Sequence, residues 1–143
     1  MMTADAVGGV WQYACDLGGA LVSGGHAVKL AVMGPEPSAE QRRDAEALGL
    51  TIAARPYRLE WMDDPWEDVD RAGDWLLGEA RNHGADLVHL NGYAHAVLPF
   101  DAPVVVVAHS CVCSWYRAVR GDVPDTVPLQ TYRQRVAAGL DAA

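Results

Sequence analysis

Positive charge is scarce in this chain of 143 residues: 11 lysines and arginines stand against 19 aspartates and glutamates, a formal net charge of −8. A nucleic-acid partner needs a basic face, so that class of partner is excluded. A phosphate bound here has to be held by backbone amides or by another domain. Long apolar runs are lacking too. None approaches the ~18 residues of a transmembrane helix, and the first residues do not form a basic segment followed by an apolar one, so neither a membrane span nor a secretory leader is predicted. Cysteine is limited to Cys15, Cys111 and Cys113. An odd count with a two-residue gap is no disulfide framework. Cys111-Val112-Cys113 is spaced too closely for a tetrahedral metal site and has no second pair. Buried or half-buried thiols in a reduced, cytoplasmic protein are expected, with no metal and no cofactor. No linker or low-complexity segment interrupts the chain, and its composition is ordinary for a globular protein, half hydrophobic and 21% charged. Residues 1–143 therefore read as one domain able to bury a core.

What is present starts with Gly8-Gly9 before Val10, Ala14, Leu17 and Leu21, apolar positions on one face of a helix. Glycines at a helix start let backbone approach a ligand closely, and the free N–H groups there favour an anion. A tight turn explains the pair almost as well. About a hundred residues later Val104 to Ala108 reads as a buried strand, followed at once by His109-Ser110, where α/β proteins keep their ligands.

Strands and helices alternate between these points. A helix over residues 10–23 ends at Gly24-Gly25, and a strand runs from Ala27 to Met33. Ser38 to Gln41 fits a capping box opening a helix to about Leu48, and Leu50 to Ala54 is a short strand. Asp64-Pro65-Trp66-Glu67 reads as a helix start with Asp64 as cap, and the helix carries Val69, Ala72, Gly73, Leu76, Leu77 and Ala80 as its buried stripe to Asn82-His83-Gly84. Asp86 to Leu90 is a strand, Tyr93 to Leu98 a short helix, residues 113–120 a helical turn or two, and Thr126 to Leu140 a final helix. This alternation predicts an α/β fold, a Rossmann-like parallel sheet with helices on both faces. Only Met1-Met2-Thr3 precede the glycine loop, so the first strand is expected to be clipped, weak or absent, and the sheet to have four strands or fewer.

Four motifs carry a family resemblance. Met2 to Trp11 resembles the Gly-Gly loop of family-four retaining glycosyltransferases, Gly25-His26-Ala27-Val28 their entry to the second strand, Asp86-Leu87-Val88-His89-Leu90-Asn91 a later strand, and Val107-Ala108-His109-Ser110 a strand end before the cleft. The resemblance covers nearly the whole chain. It implies the N-terminal, acceptor-side half of a two-domain GT-B enzyme that moves a sugar from a nucleotide-sugar donor to an acceptor with retention. The C-terminal domain, which in that family holds most of the donor through a basic pair and a spaced pair of glutamates, has no counterpart here, so the chain is expected to be inactive alone.

The resemblance implies roles for individual residues. Gly8 and Gly9 would bring amides to the donor diphosphate. His109 would face the transferred sugar as the catalytic candidate. Asn91, Ser110, Trp11 and Gln12 would lie on the acceptor side. Each has a plainer alternative: a turn for the glycines and Asn91, a hydrogen-bonded structural residue for His109, a helix cap for Ser110, packing for Trp11. Glu60, Asp63, Asp64, Glu67, Asp68 and Asp70 read as caps and a solvated acidic face, and His26, His83 and His89 lack partners at metal-ligand spacing. His95 sits near the expected cleft without further support. Gly8, Gly9, Asn91 and His109 are expected to converge at one carboxyl edge of the sheet. Other readings are a non-catalytic nucleotide-binding module, a gene fragment, or half of a GT-B nucleotide-sugar epimerase. NAD is disfavoured, because Gly8-Gly9 is not G-x-G-x-x-G and no acidic residue ends the second strand at Met33-Gly34.

Overall fold

The computed structural model describes all residues, 1–143. Eleven elements follow in order: β1 (Met2–Asp5), α1 (Gly9–Ser23), β2 (Lys29–Met33), α2 (Ala39–Ala47), β3 (Thr51–Arg55), α3 (Trp66–His83), β4 (Val88–Leu90), a 3-10 turn (Ala94–Val97), β5 (Val104–Val106), α4 (Val112–Arg120) and α5 (Val127–Ala142). The strands form one parallel sheet of five, in the order β3-β2-β1-β4-β5. The α/β parallel architecture is as expected, but the strand count is not. β1 is neither weak nor absent. It pairs with β2 from Met2–Leu30 to Asp5–Met33 and meets β4 at Met2–His89. Four residues suffice because both faces of β1 are covered and both edges paired, so a short strand buries almost all of itself: Met2, Thr3 and Ala4 are 2–3% exposed. The amino group of Met1 adds a hydrogen bond to the Leu87 carbonyl (2.8 Å).

Side chains alternate across the sheet, which splits the core in two. One layer sets Met2, Ala4, Leu30 and Val32 against Trp11, Ala14 and Cys15 of α1 and Ala45 of α2. The other sets Ala31, Met33, Val88 and Leu90 against Ala72, Leu76 and Ala80 of α3 and Ala96 of the 3-10 turn. Two helix starts differ from expectation. Asp64 does not cap α3: it has a positive φ of 43°, the N-cap position is Pro65, and no side chain caps it. Ser110 does not cap α4: Cys111 does, its Sγ accepting the Ser114 N–H while Ser114 Oγ accepts the Cys111 N–H. The Ser38–Gln41 capping box of α2 forms as read. No helix is long and apolar enough to cross a membrane.

Candidate functional site

Strand order reverses direction between β1 and β4: the chain leaves β1 toward β2 and β3, then returns through α3 to β4 on the other side. In open parallel sheets the crevice at such a switch point, outside the carboxyl strand ends, is where ligands sit. A cavity of about 500 Å³ lies there. Its floor is Thr3, Ala4 and Asp5 of β1 with Leu90 of β4 and Asn91 just beyond it. One wall is Arg58 to Trp61 and the other His109 to Val112 with Trp115, Tyr116 and Tyr132.

The expected site residues divide by position. Gly8, Gly9, Asn91 and His109 all follow carboxyl strand ends of β1, β4 and β5, which point the same way in this parallel sheet. Asn91, His109 and Ser110 line the cavity. Gly8 and Gly9 are exposed beside it at the start of α1. Gly8 takes the N-cap position with φ 68° and ψ −145° and offers no side-chain cap, a conformation that suits glycine, and a Cβ on either glycine would meet nothing within 4 Å. The first N–H groups of α1 are thus free of side-chain partners. Trp11 and Gln12 are not brought to the cavity. Trp11 is buried among the core residues of α1 and the sheet, and Gln12 is exposed, its amide donating to Asp16 Oδ1 (2.8 Å).

Around Asn91 the polar groups form one connected set. Its backbone N–H donates to Thr3 Oγ1 (2.9 Å) and its Nδ2 to the Thr3 carbonyl (2.6 Å). Its Oδ1 lies 2.9 Å from His109 Nε2 and 3.2 Å from His89 Nε2. Tyr13, one turn into α1, presents its ring edge-on to His109, with centroids 4.7 Å apart, and its hydroxyl 3.5 Å from His89 Nε2. His89 is buried at the sheet, and burial pushes its pKa down. Asp5 accepts the Val7 N–H at Oδ1 (2.9 Å), and burial raises its pKa despite that bond and the nearby His109.

Sequence reasoning missed Glu60, grouping it with a solvated acidic face. Its carboxylate instead accepts the backbone N–H groups of Tyr93 (3.1 Å) and Ala94 (2.9 Å) at the head of the 3-10 turn, inside the cavity wall. Burial drives its pKa up further than these bonds bring it down. No local signal marks it, because its partners stand more than thirty residues along the chain. Asp5 and Tyr13 were equally unassigned, although a residue closing a central strand and a side chain one turn past a glycine loop are both positions that face such a crevice. His95 lines the cavity but is anchored away from it, its Nε2 donating to the Val69 carbonyl (2.9 Å). Nowhere are three or more His, Cys, Asp or Glu side chains grouped to hold a metal ion.

The family model of Glycosyltransferase Family 4 matches residues 7–142. The chain belongs to that family. No curated protein and no solved structure matches it. The matched residues include Asn91, His109 and Ser110, which line the crevice at the β1/β4 switch point.

Proposed function

We propose that this family-four domain forms one wall of a two-domain, GT-B-type cleft that transfers a sugar from a nucleotide-sugar donor to an acceptor with retention. The observation that carries the reading is that Asn91 and His109 line one cavity at the switch point with the uncapped α1 start beside it. On this reading the donor diphosphate lies over the free amides beyond Gly8 and Gly9, where the helix dipole favours negative charge. The transferred sugar and acceptor occupy the cavity beside His109. The carboxylates of Asp5 and Glu60 make the cavity itself a poor phosphate site, which separates the two ends of the donor. The protein holds the reactants in line and stabilises the leaving diphosphate, and the departing phosphate accepts the acceptor proton. Most of the donor's anchoring falls to a second domain facing this edge.

The test is donor hydrolysis and transfer measured on a panel of nucleotide-sugar donors, with the chain alone and with the chain joined to the C-terminal domain of a family-four enzyme. The expected result is no turnover alone, turnover with retained anomeric configuration in the joined protein, and a loss of about 10²–10³ in kcat for His109→Ala, the usual cost of removing one preorganised group. Robust turnover by the 143 residues alone overturns the half-enzyme reading. An inverted product overturns retention. Binding of nucleotide and nucleotide-sugar with no transfer in either protein favours a nucleotide-binding module.

A further inference from the structure

The hydrogen bonds around Asn91 fix more than its own position. The Thr3 carbonyl can only accept, so the group 2.6 Å from it is the Asn91 NH₂. The other end of that amide, turned to the two imidazoles, is therefore the carbonyl oxygen, which also can only accept. Each imidazole nitrogen facing it must then carry the proton. His109 donates through Nε2 (2.9 Å), and so does His89 (3.2 Å), one to each lone pair of a single oxygen. A neutral imidazole with its proton on Nε2 has a bare lone pair on Nδ1. His109 Nδ1 makes no hydrogen bond within the chain, and the ring lines the cavity. Asn91 is held in turn by two bonds to Thr3 in the central strand, so the orientation of the imidazole is referred to the most deeply buried part of the sheet. Tyr13 closes the remaining side of the ring.

We infer that Asn91, locked on Thr3, is a positioning residue that holds neutral His109 as the Nε2–H tautomer, so that Nδ1 of the neutral ring is a fixed hydrogen-bond acceptor for a neutral hydroxyl-bearing ligand. The assignment rests on the proposed transferase reading for its use, since a sugar or acceptor hydroxyl is the donor it would meet. The chemistry of the surroundings agrees. Asp5, also on the cavity floor, has one oxygen engaged by Val7 and its second without a partner in the chain. Two acceptors side by side suit hydroxyl donors and repel a phosphate oxygen. Arg58, the one full cation in the lining, spends its Nη1 on the carbonyls of Asp63 (3.2 Å) and Asp64 (3.1 Å). His89 completes the lock from below: it fills the second lone pair of the Asn91 oxygen and leaves that oxygen nothing further to accept.

The experiment is ¹⁵N NMR of the histidine rings in the chain itself, which reads tautomers directly and needs no turnover. The wild-type protein is expected to show His109 and His89 as single Nε2–H tautomers near neutral pH. Asn91→Leu, which keeps the bulk and removes the oxygen, should release His109 into a mixture of tautomers. Asn91→Asp, which keeps an acceptor for the rings but loses the N–H group that the Thr3 carbonyl accepts, should keep the proton on Nε2 while loosening the ring. Methyl glucoside should shift the Nδ1 resonance of wild-type His109 more than inorganic phosphate does. In the joined two-domain enzyme Asn91→Leu should lower kcat about tenfold or more with a smaller change in KM, and Asn91→Asp should recover part of it. An Nδ1–H or mixed His109 in the wild-type chain overturns the proposal even if every variant fails to fold. Phosphate shifting Nδ1 more than the glucoside, or neither shifting it, overturns the hydroxyl assignment. Intact tautomers in a joined enzyme that transfers no sugar would sink the transferase reading and leave the lock standing.

Discussion

Residues 1–100 bury a stripe on nearly every helix and strand, whereas residues 101–143 bury only Tyr132 and Gly139 among the 34 buried residues of the chain. The contrast is sharpest between α3 and α4. Both carry apolar residues at helical spacing. In α3 they are Val69, Ala72, Leu76 and Ala80, all buried against the sheet. In α4 they are Val112, Trp115, Tyr116 and Val119, none of them buried, with Trp115 and Val119 about half exposed (48% and 57%). Amphipathic pattern alone therefore does not report packing on the core. The last 43 residues instead supply a wall: Ser110, Cys111, Val112, Trp115, Tyr116 and Tyr132 line the cavity. The first region is built to be filled, the second to leave a space open.

The largest expected effect falls in the first region. Leu76, fully buried between α3 and the sheet, should lose about 2–5 kcal/mol of stability on replacement by Ala, the range for a buried leucine whose cavity cannot fully collapse. Urea denaturation checks it, and a loss under about 1 kcal/mol would show that α3 packs as loosely as α4. The second region has one point of comparable tightness. A Cβ on Gly139 would run into the Tyr93 carbonyl, and α5 meets the 3-10 turn there. Gly139→Val should therefore cost about 1–3 kcal/mol by overpacking and raise amide exchange in α5 while the core strands stay protected. Uniform loss of protection would join the two regions into one unit.

Glu60 belongs to the first region and lines the cavity that the second region walls. Its folded-state pKa is raised above the ordinary 4.5 by burial, so between the unfolded and folded values the folded chain holds a proton that the unfolded chain has released. Its contribution to stability is then fully present below the unfolded value and is lost as pH rises through the raised pKa. Glu60→Gln, which keeps an acceptor for Tyr93 and Ala94, should flatten the fall in stability above about pH 4, measured by denaturation at stepped pH. An unchanged slope would mean that the two N–H groups offset burial completely. Smallest of all, Trp115→Ala should change stability by no more than about 0.5 kcal/mol, as for exposed positions. A larger loss, read from the same denaturation curves, would show α4 to be part of the core.

Much of this was legible in residues. The α/β alternation, the Ser38–Gln41 box and the stripe of α3 follow from local pattern, and the strand-end positions of Asn91 and His109 follow from counting elements. β1 was misjudged because four residues buried on both faces carry no alternation to read, and what marks them as a strand is pairing with β2 and β4, which is not local. Asp64 does not cap α3: it takes a positive φ, the N-cap position falls to Pro65, and no side chain bonds to the helix start. Trp11 as a packing residue was an open alternative, and one face of α1 buries it. The double role of Asn91 and the burial of Glu60 lay beyond sequence, since each depends on partners far along the chain.

The central place of β1 also bears on how the chain is made. β1 is made well before the partner on its far edge: Met1 bonds to Leu87, 86 residues along. At roughly 5–20 residues per second that is a wait of roughly 4–17 s. Through that interval β1 can pair with β2 but not with β4, so one edge of a strand buried in the finished sheet stays open until β4 is made.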